Sequence, residues 1–273
     1  VVLTTGGFGA NLDMVVKYKP ELEGFMTTNA AGAQGQGIEM ATAIGAGTVD
    51  MDQIQIHPTV EANTAALITE GLRGDGAVLI NAEGKRFIDE VGTRDVVSAA
   101  EIAQTGSYSW LVVDQAMVDA SSVIQGYIKK GYTVTGETYE ELAKAMGVPD
   151  DKMDTFMASI DEYNAMCDAG KDDKFGKDAS ALIPIREAPF YGCAQTLGNR
   201  SASPSMVTMN GMMTDLNLNV LDIDYAPIKG LYAAGNSLGG RYGTGYSTPC
   251  AGNSIGMAVT HGRLAGQFCV DNA

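Results

Sequence analysis

The sequence predicts an α/β fold interrupted by an inserted α+β lobe, and three observations carry that expectation. Apolar strands run straight into glycine turns near both ends of the chain, in residues 1–9 and 230–235. A helical pattern follows each turn region, over 38–46 after Gly35–Gly37 and over 253–270 after 251–256. Between these lies a mixed stretch of short strands, turns and helices. Strand–glycine–helix is the alternation of α/β folds. Residues 1–50 and 190–273 are therefore expected to form one domain, with 51–189 as an insertion.

Taken in order, Val1-Val2-Leu3 reads as a core strand turned by Thr5-Gly6-Gly7-Phe8-Gly9. A core strand needs partners, so residues upstream of Val1 are expected in the full protein. Ile38, Met40, Ala41 and Ile44 recur at helical spacing. From about 50 to 94 the texture is short strands and turns. Ala77-Val78-Leu79-Ile80, the turn 81–84 and residues 85–88 predict a β-hairpin. Residues 108–114 read as a strand and 121–130, 138–146 and 151–168 as helices. Thr138 with Glu141 three residues on predicts a capping box. The charged, proline-bearing stretch 170–189 reads as a connector, after which strands resume from Phe190.

Composition narrows the function classes. Lys plus Arg number 18 against 33 Asp plus Glu, a formal net charge of −15, which disfavours nucleic acid or anionic lipid as a partner. No apolar run approaches the ~18 residues of a membrane span, and no basic, apolar leader opens the chain. Cys167, Cys193, Cys250 and Cys269 form no C-x-x-C pair, and only His57 and His261 could assist them, so no zinc or iron–sulfur site is expected. Buried free thiols are the expected state of the cysteines.

The glycine motifs carry the first chemistry. Gly230-Leu231-Tyr232-Ala233-Ala234-Gly235-Asn236 is followed by Ala251-Gly252-Asn253-Ser254-Ile255-Gly256 opening a helix. Small residues let backbone N–H groups approach a ligand, and a helix N-terminus favours an electron-rich group. Tight helix–strand packing also wants glycine and is the plain alternative. Combined with Thr5-Gly6-Gly7-Phe8-Gly9, the pair resembles the latter half of the flavin domain in the fumarate reductase, succinate dehydrogenase and 3-ketosteroid dehydrogenase superfamily. The G-x-G-x-x-G fingerprint of that family is not found in its strand–turn–helix setting, which fits a chain beginning after that element.

A second set, Gln55-Ile56-His57-Pro58-Thr59, Ile68-Thr69-Glu70-Gly71-Leu72-Arg73-Gly74 and Glu90 through Gly92-Thr93-Arg94-Asp95, resembles soluble fumarate reductases in order and spacing. The resemblance covers nearly the whole chain. It implies a partial Rossmann-like flavin domain with an inserted α+β capping domain, FAD as cofactor, and substrate between the lobes. It implies Arg94 as proton donor, Glu70 and Arg73 as the relay to it, and His57 and Thr69 at the substrate. By the same resemblance, Gly6, Gly7, Gly35, Gly37, Gly235, Asn236, Asn253, Ser254 and Ile255 face the FAD, with Asn236 in place of the family's usual glutamate. FAD binding by this chain alone is left open. The chemistry is coherent without the family. Reducing an activated C=C bond needs hydride at one carbon and a proton at its neighbour. Arginine is a poor acid, with pKa above about 12, yet a developing carbanion is basic enough to take its proton. A purely structural Arg–Glu–Arg ion network is the alternative. Arg86, in Gly84-Lys85-Arg86-Phe87, is expected to support the surface of the inserted lobe and is left out of the site.

The departures concern the substrate. Fumarate reductases carry a His-His-Thr-Met-Gly-Gly segment, and here the matching stretch is Met206-Val207-Thr208-Met209-Asn210-Gly211. Pro249 stands where that family's carboxylate-clamping arginine belongs, and the loop before it, from Arg241 through Tyr242 to Tyr246, is longer. Losing a bidentate arginine is not conservative, so fumarate is not the expected substrate. Arg241 or Arg200 could hold one carboxylate, and Tyr242 and Tyr246 could stack on a ring; loop packing is their plain alternative. The remaining methionines of that stretch, Met212 and Met213 with Met206 and Met209, are expected to pack core or line a pocket. His261 is expected to be a capping or surface residue. The expected function is FAD-dependent reduction of a polarised C=C bond in an unsaturated acid or ketone, with electrons from a haem or flavin domain or protein outside this segment. A 3-ketosteroid-type dehydrogenase, which would want a tyrosine base, and a fragment inactive without its N-terminal half are the alternatives.

Overall fold

The computed structural model describes residues 1–25, 27–64, 66–196, 205–246 and 252–271. It is a mixed α/β structure that divides into two compact units. One comprises Val1–Glu23, Thr27–Ile56 and Met206–Ala273, the other Gly24–Met26 and His57–Ser205.

In the first unit, strand Val2–Leu3 pairs in parallel with Pro227–Ala233, placing Val2 opposite Tyr232 and Leu3 opposite Ala233. Asn219–Leu221 adds to the other edge antiparallel. The expected helix after Gly35 is Gln36–Thr42, and Gly35 takes φ +81° at its N-cap. A Cβ there would lie 2.8 Å from Phe8 Cβ and 2.7 Å from Met14 Sδ, so both backbone and space demand glycine. The 19-residue helix Asn253–Asp271 packs through Leu264, Ala265 and Phe268 against Leu218, Ala234 and Leu238.

The second unit is built on a four-stranded antiparallel sheet in the order Val78–Asn81, Tyr108–Val113, Phe190–Thr196, Thr133–Gly136. Val78–Asn81 is buried at every position. Successive side chains point to opposite faces, so both faces of that strand are covered and its sequence is an unbroken apolar run. Helices Tyr139–Ala145 and Met153–Ala169 supply Leu142, Phe156, Ile160 and Tyr163 to this core. Thr138 caps the first of these helices by accepting from Glu141 N–H at 3.1 Å. The reciprocal bond of the expected capping box runs one residue further back, from Glu137 N–H to Glu141 Oε2 at 2.9 Å.

Several expectations are corrected. Residues 190–196 do not return to the first unit. Phe190–Thr196 bonds to two strands of the second sheet, so the division falls at 56/57 and 205/206 instead of 50/51 and 189/190. The hairpin turn forms, with Gly84 N–H donating to Asn81 O at 3.0 Å, but its second arm makes a single bridge, Ile80 to Arg86, and the extended partner of Val78–Asn81 is Tyr108–Val113. Nor is 170–189 a plain connector: Asp172 and Lys177 are buried.

Candidate active site

Four of the expected residues converge in the second unit. His57 ends strand Ile54–His57, Glu70 is the N-cap of the one-turn helix Gly71–Gly74 and Arg73 lies within it, and Arg94 is the first residue of helix Arg94–Ile102. Residues three apart on a helical turn face the same way, and Arg73 Nη2 accordingly donates to Glu70 Oε1 at 3.1 Å. Arg94 Nε donates to that same oxygen at 2.6 Å, while Arg94 Nη2 pairs with Glu70 Oε2. The carboxylate is thus shared between two guanidinium groups, one of them bidentate. Burial pushes the Glu70 carboxyl up, but the hydrogen bonds from Arg94, together with the fields of His57, Arg94 and Arg73, hold it below the usual carboxylate range.

Arg73 is buried, and its Nη1 donates to the backbone carbonyl of Glu90 at 2.6 Å. Burial lowers its pKa from the ordinary arginine value; Glu70 and Glu101 oppose the shift and Arg94 adds to it. His57 receives the Thr59 N–H on Nδ1 at 3.3 Å, leaving the ring proton on Nε2, which faces Glu70 Oε2 at 3.8 Å. Burial drives the His57 pKa down to about 4; Glu70 opposes the shift, and Arg94 and Arg73 add to it. The imidazole is therefore neutral at pH 7. It can donate a hydrogen bond to a carboxylate or carbonyl but brings no charge. Thr69 is half-buried, with its N–H donating to Tyr127 Oη at 3.0 Å.

Arg86 corrects a further expectation. It is buried in the core instead of supporting a surface, bonding Glu90 at 2.8 and 2.9 Å and Asp172 at 2.7 Å, with Lys177 Nζ 3.3 Å from Glu90 Oε2. Glu90 thereby joins the site to this network: its carbonyl holds Arg73 while its side chain holds Arg86. Glu101, Asp172 and Lys177 were not singled out from the sequence, and Glu90 entered it only as the first residue of the segment that holds Arg94. Asp172 and Lys177 meet Arg86 and Glu90 from more than eighty residues away, a pairing that spacing does not signal.

The glycine motifs assemble in the first unit. The parallel strands Val2–Leu3 and Pro227–Ala233 end side by side, and Gly6 N–H donates to Ser237 Oγ at 2.9 Å. Asn236 Oδ1 accepts from Ser254 Oγ at 3.1 Å, bringing the start of helix Asn253–Asp271 to the same edge, where Ile255 is exposed. Gly6 and Gly235 take positive φ, and a Cβ on Gly6 would meet nothing within 4 Å. Gly7 and Gly37 are different: a Cβ would lie 1.8 Å from Thr208 Oγ1 and 2.1 Å from Thr5 Oγ1 respectively. Packing against threonine accounts for glycine at those two positions.

Arg241 and His261 line a cavity of about 620 Å³ whose other walls include Val49, Met213, Leu238 and Met257. His261 is half-buried in the wall of that cavity. The Arg241 guanidinium lies 4.9 Å from the Tyr242 ring centroid, the Tyr242 and Tyr246 rings are 4.7 Å apart, and Arg241 Nε and Nη1 are buried without hydrogen-bond partners. Met209 and Met212 are buried, as expected of core methionines. Cys193 is a buried free thiol, whereas Cys167 and Cys269 are half-buried. Arg200, Pro249 and Cys250 lie outside the described residues.

The strand–glycine edge belongs to a domain of a known flavin-binding family. The family model described as "FAD binding domain" matches residues 1–255, and the chain belongs to that family. It is 41% identical over its whole length to NADH:fumarate oxidoreductase of Klebsiella pneumoniae (strain 342), spanning 28% of that protein. Its fold matches the open conformation of a flavocytochrome c3 fumarate reductase with TM-score 0.78 at 35% identity, over 100% of this chain and 46% of the other. It also matches 3-ketosteroid Δ1-dehydrogenase from Sterolibacterium denitrificans, with TM-score 0.75 at 26% identity over 99% of this chain and 53% of that one. The chain thus spans well under two thirds of the proteins it resembles, and FAD is the cofactor of its family.

Proposed function

We propose that the protein reduces a polarised C=C bond, in an enoate or enone other than fumarate, with Arg94 as the proton donor. The observation that carries this is Glu70 shared between Arg94 and Arg73 in a largely buried cluster. In this reading the first unit is the partial Rossmann-like flavin domain and the second is the capping domain. FAD, when bound, supplies the hydride from N5. Gly6, Gly235, Asn236, Asn253 and Ser254 would hold it, since they line the carboxyl ends of two parallel strands beside a helix N-terminus, with open space where a Gly6 side chain would be. Gly7, Gly35 and Gly37 would shape the backbone around it.

Arg94 gives its proton to the substrate carbon next to the one that accepts hydride. Glu70, already hydrogen-bonded to Arg94, returns a proton to it, and Arg73 supplies Glu70. Burial helps by making the Arg73 guanidinium less reluctant to part with a proton. Neutral His57 and Thr69 would orient the carbonyl or carboxylate that polarises the double bond. Arg241, with two buried N–H groups lacking partners, is the cation available for a single carboxylate. Fumarate would need a second one.

The stacked pair Tyr242–Tyr246 favours a second reading, a dehydrogenase acting on a cyclic ketone, in which the rings pack on the substrate. The intact Arg–Glu–Arg set argues for reduction instead. The deciding experiment is Arg94→Ala in the full-length enzyme, assayed with reduced viologen against enoates, cinnamates and enones. Loss of a general acid should lower turnover by about 10²–10⁴ with flavin content unchanged. Near-normal turnover would defeat the assignment.

A further inference from the structure

Helix Arg94–Ile102 carries a second ionisable group into the protein, seven residues after Arg94. Glu101 is fully buried. Its Oε1 accepts from Ser109 Oγ at 2.8 Å, and its Oε2 is buried with no hydrogen-bond partner. The nearby cation is Arg73, whose own ion pair is made with Glu70, and whose Nε is likewise buried and unpartnered. A carboxylate in such a place would be a buried charge with one hydroxyl bond and no close counterion, which is far costlier than the neutral acid.

We propose that Glu101 is a positioning residue for Arg73: as the neutral acid it leaves the Arg73 proton able to move, and as the carboxylate it pins that proton. The proposal rests on the reading of Glu70, Arg73 and Arg94 as the proton-delivery set; Glu101 stands outside that set and bears on it through Arg73. Two neighbours act on Glu101. Ser109, from strand Tyr108–Val113, is uncharged, and Arg73, from the Gly71–Gly74 turn, is the one charged group whose field reaches it among the described residues. Burial pushes the Glu101 carboxyl up to about 8, against the pull of Ser109 and Arg73. Glu101 in turn raises the Arg73 pKa. Ionising Glu101 therefore makes Arg73 a worse proton donor, and turnover should fall on the alkaline side. Glu101 touches no reacting atom; it acts through Arg73.

The test is the pH profile of turnover in the full-length enzyme for wild type, Glu101→Gln and Arg94→Ala, with carboxylic-acid infrared absorption as a second readout. Wild type should lose most of its turnover above a midpoint near 8. Glu101→Gln, which mimics the neutral acid, should keep its neutral-pH turnover within about twofold and lack that alkaline limb. A buried acid carbonyl band should be present in wild type at neutral pH, disappear over the same alkaline range, and be missing from the variant. An unchanged limb in Glu101→Gln overturns the proposal, as does the lack of such a band in wild type should the variant fail to fold. If Arg94→Ala turns over normally, the underlying reading falls and this inference with it. If Arg94→Ala is dead and the limb persists in Glu101→Gln, only the inference falls.

Discussion

Glu90→Gln should destabilise the second unit far more than one lost charge on a surface would. In the native fold Glu90 accepts from Leu79 N–H at 3.2 Å, from Arg86 at 2.8 and 2.9 Å, and lies 3.3 Å from Lys177 Nζ. The side chains of Glu90 and Lys177 are 0% exposed and that of Arg86 is 3% exposed. Removing the charge leaves two buried cations to share one anion, Asp172, which itself binds Arg86 at 2.7 Å. Breaking a buried pair from one side costs about 3–5 kcal/mol. At a urea slope of about 2 kcal/mol per M, the unfolding midpoint should fall by about 2 M. The chain's single tryptophan, Trp110, lies in the four-stranded sheet and reports this unit by fluorescence. Adding Lys177→Met to Glu90→Gln removes one stranded cation and should recover part of the loss. A midpoint change below about 0.5 M would refute the reasoning, since it would mean the network is well solvated or contributes nothing. Because the Glu90 carbonyl also holds Arg73, variants that fold at low temperature should still show slower turnover.

Acid sensitivity should trace to His57. Its folded pKa, about 4, lies below the unfolded 6.5, so the unfolded chain binds the extra proton and stability is lost as pH falls from about 6.5 towards 4. That separation corresponds to about 3 kcal/mol, and His57→Gln should flatten this part of the stability profile; an unchanged acid slope would show that other groups govern it. Titrating FAD into the 273-residue chain should give a protein-bound flavin spectrum near about 450 nm, weakened by Gly6→Val. A chain that retains no flavin on gel filtration would show that the strand–glycine edge alone does not hold the cofactor.

Local order in the sequence determined much of this protein. The alternation of apolar runs with glycine turns located the ends of the first unit, and the resemblance of their segments to soluble fumarate reductases grouped His57, Glu70, Arg73 and Arg94 before any coordinates. Thr138 as a helix cap was legible because capping depends on residues three apart. What only the tertiary structure decided is which charges meet. Phe190–Thr196 joined the second unit because its partners are Tyr108–Val113 and Thr133–Gly136, whose paired residues lie 54 to 88 positions away. Arg86 looked like a surface residue until Asp172, from a stretch that reads as a connector, was found beside it. Glu101 gave no signal, as one glutamate at the end of an amphipathic helix looks like any other. Periodicity records how often a chain turns a face inward. It does not record what lies opposite that face, and for an ionisable group the opposite face sets the protonation state and hence the chemistry.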